Sequence, residues 1–152
     1  MSASCAARKY EPVVFLKTKK TLKERQDDLV AEINGLGDCF EQFSYLLFRA
    51  GNLPEMKASQ KTTENRIRGC QSVVWADIRV EDGILYFSAD SETLIIKGVL
   101  AIFAELLDGT PVEEIRNTPI DILERTELAV TFESERTIGI KSVLRQVGQA
   151  AE

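Results

Sequence analysis

The most apolar stretch of the sequence lies between residues 94 and 107, and it constrains the fold more than any other feature. Gly98, inside this stretch, costs a helix about 1 kcal/mol relative to alanine, which indicates close approach of another element. A helix with so few polar faces has to be covered on most sides. We therefore predict a central, buried helix carrying these apolar residues: Leu94, Ile95, Ile96, Val99, Leu100, Ile102, Phe103, Leu106 and Leu107.

Two helices are predicted ahead of the central one, because each begins with a capping signal. Thr21 is followed three residues later by Glu24, and Asp38 is followed in the same way by Glu41. These are the residue types and the spacing of a capping box. The second of these helices carries apolar residues at helical spacing, which indicates one apolar face: Phe40, Phe43, Leu46 and Leu47.

Between these helices and the central one, apolar and polar residues alternate as they do in strands. Residues 73–80 and 84–88 flank an Asp-Gly pair at 82–83, which supplies the positive φ angles that a hairpin turn needs. With residues 66–69 as a strand ahead of this hairpin, we predict a small three-stranded antiparallel sheet packed against several helices. The fold class is then α+β. Trp75 is predicted to lie in the core, and packing near the cysteine loop is the alternative.

The chain has 152 residues, which suits one domain. We predict that domain over residues 21–152, after an N-terminal extension over residues 1–20 that forms either an added strand or a disordered tail. The formal net charge of −5 argues against a nucleic-acid partner, since phosphate binding needs a basic surface. The apolar runs are shorter than the roughly 20 residues of a membrane span, so no membrane contact is predicted.

The sequence contains no histidine, and this absence limits its chemistry. Catalysis by Cys-His or Ser-His pairs is excluded within the chain, as is any zinc site that needs imidazole. The cysteines Cys5, Cys39 and Cys70 show no paired spacing, so no bound metal is predicted. Their odd number fits a reducing compartment. We predict a cytoplasmic protein or, in a eukaryote, one of an organellar stroma or matrix.

Cys70 lies between two strand-like runs, where Gly69 and Ser72 favour a turn. A thiolate is a strong nucleophile, but a free cysteine with a pKa of about 8.5 is only a few per cent thiolate at pH 7. If residues 66–70 are extended, Arg66 and Arg68 point to the same side as Cys70 and favour the thiolate. Burial of the thiol would oppose them. A small buried core residue is the alternative interpretation of this cysteine.

Three blocks of the sequence resemble the SufE family, whose members accept sulfur from cysteine desulfurases during iron–sulfur cluster assembly. The resemblance covers most of the chain, from about residue 38 to the last predicted helix. The first block, with its cysteine and tryptophan, is specific, and the spacing of the other two adds to it. The blocks are Gly69-Cys70-Gln71-Ser72-x-Val74-Trp75, Asp90-Ser91-Glu92 and Ile96-Lys97-Gly98.

The resemblance implies a SufE/IscU-like fold and makes Cys70 the persulfide acceptor. Asp90 fits a helix cap as well as a position beside the acceptor loop. An arginine at the start of the last helix, which is predicted from about residue 134, matches the family pattern. The candidates for support of the thiol or for partner contact are Arg66, Arg68, Gly69, Gln71, Asp90 and Arg136.

The resemblance also implies a function. A SufS-like, PLP-dependent cysteine desulfurase would donate persulfide sulfur to Cys70 and be stimulated in doing so, and an iron–sulfur scaffold would receive the sulfur. PLP belongs to the desulfurase, so no cofactor is predicted for this sulfurtransferase-like carrier, which is not a stand-alone catalyst. We predict a monomer or weak homodimer. Two alternatives stay open: an IscU-like scaffold, which would need several converging ligands, and a non-catalytic regulator of a desulfurase.

Overall fold

The computed structural model describes residues 20–69, 72–128 and 134–152, with the backbone alone for 134–138. The extension predicted for residues 1–20 lies almost entirely outside these ranges, so that division of the chain stays a prediction. No helix within the three ranges is long and apolar enough to cross a bilayer. The strands are β1 (Val74–Glu81), β2 (Ile84–Ser91) and β3 (Thr110–Pro111). The helices are α1 (Leu22–Asn34), α2 (Cys39–Ala50), α3 (Leu94–Leu107), α4 (Val112–Asn117), α5 (Ile122–Arg125) and α6 (Ser134–Ala150).

Helices α1 and α2 begin at the predicted capping signals. The Thr21 hydroxyl accepts a hydrogen bond from the Glu24 amide at 3.1 Å, and the Glu24 carboxylate accepts one from the Thr21 amide at 3.2 Å. Asp38 accepts a hydrogen bond from the Glu41 amide at 3.0 Å. These bonds satisfy amides that the first turn of a helix leaves unpaired. Both predicted helix starts are confirmed.

Helix α3 is the buried centre of the molecule, as predicted. It packs against α2 and against β2, and its side chains Ile96, Leu100, Phe103 and Leu107 are fully buried. Burying each of these large side chains contributes roughly 1.5–3 kcal/mol to stability. Leu94, in the first turn, is 61% exposed, so α3 reaches the surface at its N-terminal end.

Gly98 is the point at which α3 lies closest to α2. A Cβ atom added to Gly98 would lie 2.2 Å from the carbonyl oxygen of Leu46 and 2.8 Å from its carbonyl carbon. Both of those atoms belong to backbone, and Leu46 is fully buried. The close approach predicted for Gly98 is confirmed. Farther round α2, Phe40 and Leu47 are 71% and 41% exposed, so only part of its apolar face is buried.

Strands β1 and β2 form the predicted hairpin. Their antiparallel register runs from Val74 opposite Ser91 to Glu81 opposite Ile84. Its turn contains Gly83 at a φ of 75°, a conformation that glycine adopts without steric cost.

The third strand of the sheet is β3, and the prediction that residues 66–69 form it is wrong. The strand order is β1-β2-β3, with β3 antiparallel to β2. At the other edge of the sheet, Arg66 forms an isolated antiparallel bridge with Trp75 of β1. Residues 68 and 69 form a turn, in which the φ of Gly69 is 83°. A three-stranded antiparallel sheet packed against helices confirms the α+β fold class.

Candidate functional site

The structure describes some of the predicted site residues in full, one by its backbone alone, and two not at all. Cys70 and Gln71 lie outside the described residues, so their roles stay predictions. Arg136 is in α6, which packs against β1, but its side chain is not described. The four that are described in full are Arg66, Arg68, Gly69 and Asp90. We call residues 68–71 the Cys70 loop.

The backbone arm that leads into the Cys70 loop is hydrogen-bonded to β1. The Ile67 amide donates to the Val74 carbonyl at 2.8 Å, and the Ala76 amide donates to the Asn65 carbonyl at 2.8 Å. Ile67 also belongs to the hydrophobic core, with 2% of its surface exposed. Both backbone bonds and core burial therefore fix the chain immediately before the loop.

The arm that leaves the loop is held by the segment between β2 and α3. The Ser91 hydroxyl donates to the Val73 carbonyl at 2.8 Å, and the Glu92 amide donates to the same carbonyl at 3.2 Å. The Thr93 hydroxyl donates to the hydroxyl of Ser72 at 2.9 Å. The chain is therefore fixed on both sides of the Cys70 loop, at Ile67 before it and at Ser72 and Val73 after it.

Arg66 and Arg68 are both exposed, and they flank the buried Ile67. With Thr63 and Gly69, these residues line an open depression of about 380 Å³. The backbone turns at Arg68 and Gly69, and Gly69 has a positive φ. The extended run on which the shared side of Arg66, Arg68 and Cys70 depends therefore ends before Arg68, and Cys70 itself lies outside the described residues. What the structure does place beside the loop is an exposed surface with two guanidinium groups.

Asp90 is held between two lysines at the end of β2. Its carboxylate oxygens lie 2.8 Å from Lys61 Nζ and 3.6 Å from Lys97 Nζ, and one of them accepts from the Ser91 amide at 2.8 Å. Partial burial raises the pKa of Asp90. The hydrogen bonds from Lys61 and the Ser91 amide, with the charge of Lys97, outweigh burial and lower that pKa below its ordinary value. Asp90 is therefore a charged, ion-paired carboxylate at neutral pH.

We call the residues that hold the two ends of the Cys70 loop, 65–67, 72–76 and 90–93, the loop base. Trp75 lies between its two sides. It bridges to Arg66 on one side and lies opposite Asp90 in the β1–β2 register on the other. Lys61 Nζ lies 5.1 Å from the centroid of the Trp75 ring, within the range of a cation–π contact. Trp75 is half-buried and outside the hydrophobic core, so the prediction that it is a core residue is wrong. Its ring supports the lysine that holds Asp90.

Sequence reasoning missed Lys61, Lys97 and Thr93. Lys97 follows an aspartate across a helix start, which is a weak signal for an ion pair. Lys61 lies in an irregular segment, and nothing in the sequence connects it with Asp90. Within the described ranges, no group of three or more cysteine, aspartate and glutamate side chains is arranged to hold a metal ion.

The comparison with family models shows to which protein family the chain belongs. A model named SufE and described as an Fe-S metabolism associated domain matches residues 27–151. The chain belongs to the SufE family. This confirms the family predicted from the sequence, and it associates the protein with iron–sulfur metabolism.

Curated relatives agree with membership of the SufE family. An uncharacterized SufE-like protein of Rhizobium meliloti is 30% identical over 83% of this chain and 94% of its own length. One from Synechocystis is 30% identical over 70% of this chain and 67% of its own length. The chain is also similar to part of the chloroplastic quinolinate synthase of Arabidopsis thaliana, with 32% identity over 71% of this chain and 15% of that enzyme.

A solved structure supports the fold alone. The solution structure of a hypothetical protein from Thermus thermophilus matches 84% of this chain and 93% of its own, with a TM-score of 0.69 and 16% identity. The likeness confirms the architecture of helices around a small sheet.

Proposed function

We propose that this SufE-family protein is a sulfur carrier whose Cys70 accepts persulfide sulfur from a cysteine desulfurase. The observation that carries this proposal is the construction of the loop base. Hydrogen bonds fix the chain at Ile67 on one side and at Ser72 and Val73 on the other. Anchors on both sides of the loop favour a transfer between two proteins, which requires aligned reacting groups.

The proposed transfer is an exchange between sulfur atoms. The Cys70 thiolate attacks the outer sulfur of the desulfurase persulfide, a new S–S bond forms on Cys70, and the donor S–S bond breaks. The electron pair of the broken bond leaves with the desulfurase cysteine as its thiolate, so the step needs no external oxidant or reductant. Its rate depends on the thiolate fraction of Cys70 and on access to it. The persulfide on Cys70 then passes sulfur to an iron–sulfur scaffold by a second exchange of the same kind.

Charges near the loop support the proposal. Arg66 and Arg68 are exposed on the arm before Cys70, and guanidinium groups near a thiol favour its thiolate form. Asp90 would favour the neutral thiol if it were unpaired, but Lys61 and Lys97 are its ion-pair partners. We assign Gly69, Gln71 and Arg136 to loop conformation and partner contact. PLP is the cofactor of the desulfurase, and the carrier itself uses none.

Stimulation of a desulfurase by single-cysteine variants tests this function. We expect the wild-type chain to raise the rate at which a SufS-like desulfurase forms alanine from cysteine, and C70S to lose that stimulation. The matched control is C39S, because Cys39 is an exposed free cysteine at the start of α2, and it should behave as wild type. Full stimulation by C70S would refute the carrier role and favour a non-catalytic regulator.

The proposed role of the arginines has a matched control within the sheet. Replacing both Arg66 and Arg68 with alanine should slow alkylation of Cys70 at pH 7, because less of the thiol would be ionised. Arg79 is exposed near the other end of β1, and R79A should leave alkylation unchanged. Equal alkylation rates in both variants would contradict electrostatic support by the loop arginines.

A further inference from the structure

Thr93 occupies the N-cap position of α3 but does not use its side chain as a cap. Its backbone is extended, with φ −98° and ψ 120°, and its carbonyl accepts the first helical hydrogen bond, from the Lys97 amide at 2.9 Å. A threonine at this position usually accepts a bond from an amide in the first turn. Here the hydroxyl makes no such bond to the described amides of α3. It is turned outward, and it donates to the Ser72 hydroxyl at 2.9 Å.

The donor is itself firmly held. The Thr93 amide donates to the Ser91 hydroxyl at 3.2 Å, and that hydroxyl donates in turn to the Val73 carbonyl at 2.8 Å. Ser91 is 4% exposed, so these bonds lie away from solvent. The amide and carbonyl of Thr93 are both engaged, and its side chain therefore extends from a fixed backbone. The bond to Ser72 therefore anchors the residue that directly follows the Cys70 loop.

We infer that Thr93 is a positioning residue for Cys70, acting through the hydroxyl of Ser72. The inference rests on the proposed function, because a positioning role affects sulfur transfer only if Cys70 accepts sulfur. Between the fixed points at Ile67 and Ser72 lies only the Cys70 loop, residues 68–71. Without the Thr93 bond, the first residue held after the loop is Val73 instead of Ser72, so the anchor lies one residue farther from Cys70. Transfer between two cysteines needs aligned sulfur atoms, so the transfer step itself should slow.

Two substitutions at position 93 separate the hydroxyl from the rest of the side chain. T93V keeps the branched shape and removes the donor, whereas T93S keeps the donor and removes a methyl group. S72A removes the acceptor. The first readout is the single-turnover rate of sulfur transfer to Cys70 at saturating desulfurase, followed by peptide mass. The second is deuterium uptake of the backbone over residues 68–73, which needs no desulfurase.

We expect T93V and S72A each to lower the saturating transfer rate about fivefold, the change that one net hydrogen bond of ordinary strength produces. The desulfurase concentration at half-saturation should stay unchanged, because the loop is loosened and the partner surface is intact. The double variant should be no slower than either single variant, since both remove the same bond. T93S should retain the wild-type rate. Deuterium uptake over residues 68–73 should rise in T93V and not in T93S.

Equal transfer rates in T93V and wild type would overturn the inference, and so would equal losses in T93V and T93S. A wild-type chain that takes no sulfur from the desulfurase would refute the proposed function. Deuterium uptake over residues 68–73 would then be the measurement that tests whether Thr93 anchors the loop. Uptake that rises in T93V but not in T93S would support the anchoring of the loop by Thr93. Uptake that is the same in T93V, T93S and wild type would overturn it.

Discussion

Helix α3 is held in different ways at its middle and at its beginning. At Gly98 its backbone lies against Leu46 of α2 with no room for a Cβ atom. At its N-cap, the Thr93 hydroxyl donates to Ser72, and the Thr93 amide donates to the Ser91 hydroxyl, which itself donates to the Val73 carbonyl. The first contact is between two backbones, and Leu46 is fully buried. The second is built from bonds that are each worth about 1 kcal/mol net.

This difference separates the stability of the domain from the placement of the thiol. Changes at the α2–α3 crossing should act on global unfolding and leave sulfur acceptance intact in the molecules that remain folded. Changes at the loop base should slow sulfur acceptance by Cys70 and raise deuterium uptake over residues 68–73. Their effects on the free energy of unfolding should be small. Each variant below is expected to obey this division.

The largest effect on stability is expected for G98A. The added Cβ atom would collide with the Leu46 carbonyl, and because the obstructing atoms are backbone we expect overpacking to cost about 3 kcal/mol of unfolding free energy. The gain of about 1 kcal/mol in helix propensity offsets part of that cost. The matched control is G148A in α6, where nothing lies within 4 Å of the added atom. It should be neutral or stabilising. Urea unfolding measures both, and a G98A protein as stable as G148A would contradict the packing at the crossing.

A smaller effect on stability is expected for S91A, at the loop base. The substitution leaves the Thr93 amide without its partner and removes one of two donors to the Val73 carbonyl. We expect a loss of about 1 kcal/mol in unfolding free energy. Deuterium uptake over residues 68–73 should rise more than that of α2.

The control for S91A is S88A on the same strand. Ser88 is half-buried, and its hydroxyl makes no hydrogen bond within the described part of the chain. Its removal should change the unfolding free energy by less than about 0.5 kcal/mol. An S91A protein indistinguishable from S88A in stability and in loop exchange would show that the Ser91 hydroxyl does not hold the loop base.

The smallest effect on stability is expected for D90N, and it should depend on pH. The folded-state pKa of Asp90 lies below its ordinary value, so its ionised form contributes stability above the unfolded pKa of about 3.9. That contribution is lost as the pH falls through the folded pKa. D90N should therefore be less stable than wild type at pH 7, by less than about 1 kcal/mol, and the difference should disappear in acid.

The control for D90N is E92Q. Glu92 is an exposed carboxylate two residues away. Urea unfolding is measured at pH 7 and at pH 3, and E92Q should be as stable as wild type at pH 7. If D90N and wild type have the same unfolding free energy at both pH values, the contacts of Asp90 with the two lysines do not stabilise the loop base.

Local signals in the sequence predict the elements that depend on local chemistry. The caps of α1 and α2, the Asp-Gly hairpin turn and the burial of α3 all follow from residues close together in the chain. The identity of β3 does not, because a strand of two residues, one of them Pro111, carries no alternating pattern. Its pairing with β2 depends on where α3 ends in space.

The candidate site shows the same limit. The Cys70 motif is visible in the sequence, but the contacts that hold its loop join distant residues. Thr93 and Ser72 are 21 residues apart, and their contact depends on the strand register and on the start of α3. Lys61 reaches Asp90 over the Trp75 ring from an irregular segment. A single sequence predicts the reactive residue better than the groups that position it.

Intact-mass analysis tests the central claim most directly. The full-length chain is mixed with a cysteine desulfurase and free cysteine, and each cysteine-containing peptide is then mapped. The sulfur-carrier role predicts the gain of one sulfur atom on Cys70 that a reducing agent removes, with Cys5 and Cys39 unchanged. A folded chain whose Cys70 can be alkylated but gains no sulfur, or gains it only at Cys39, would contradict that role.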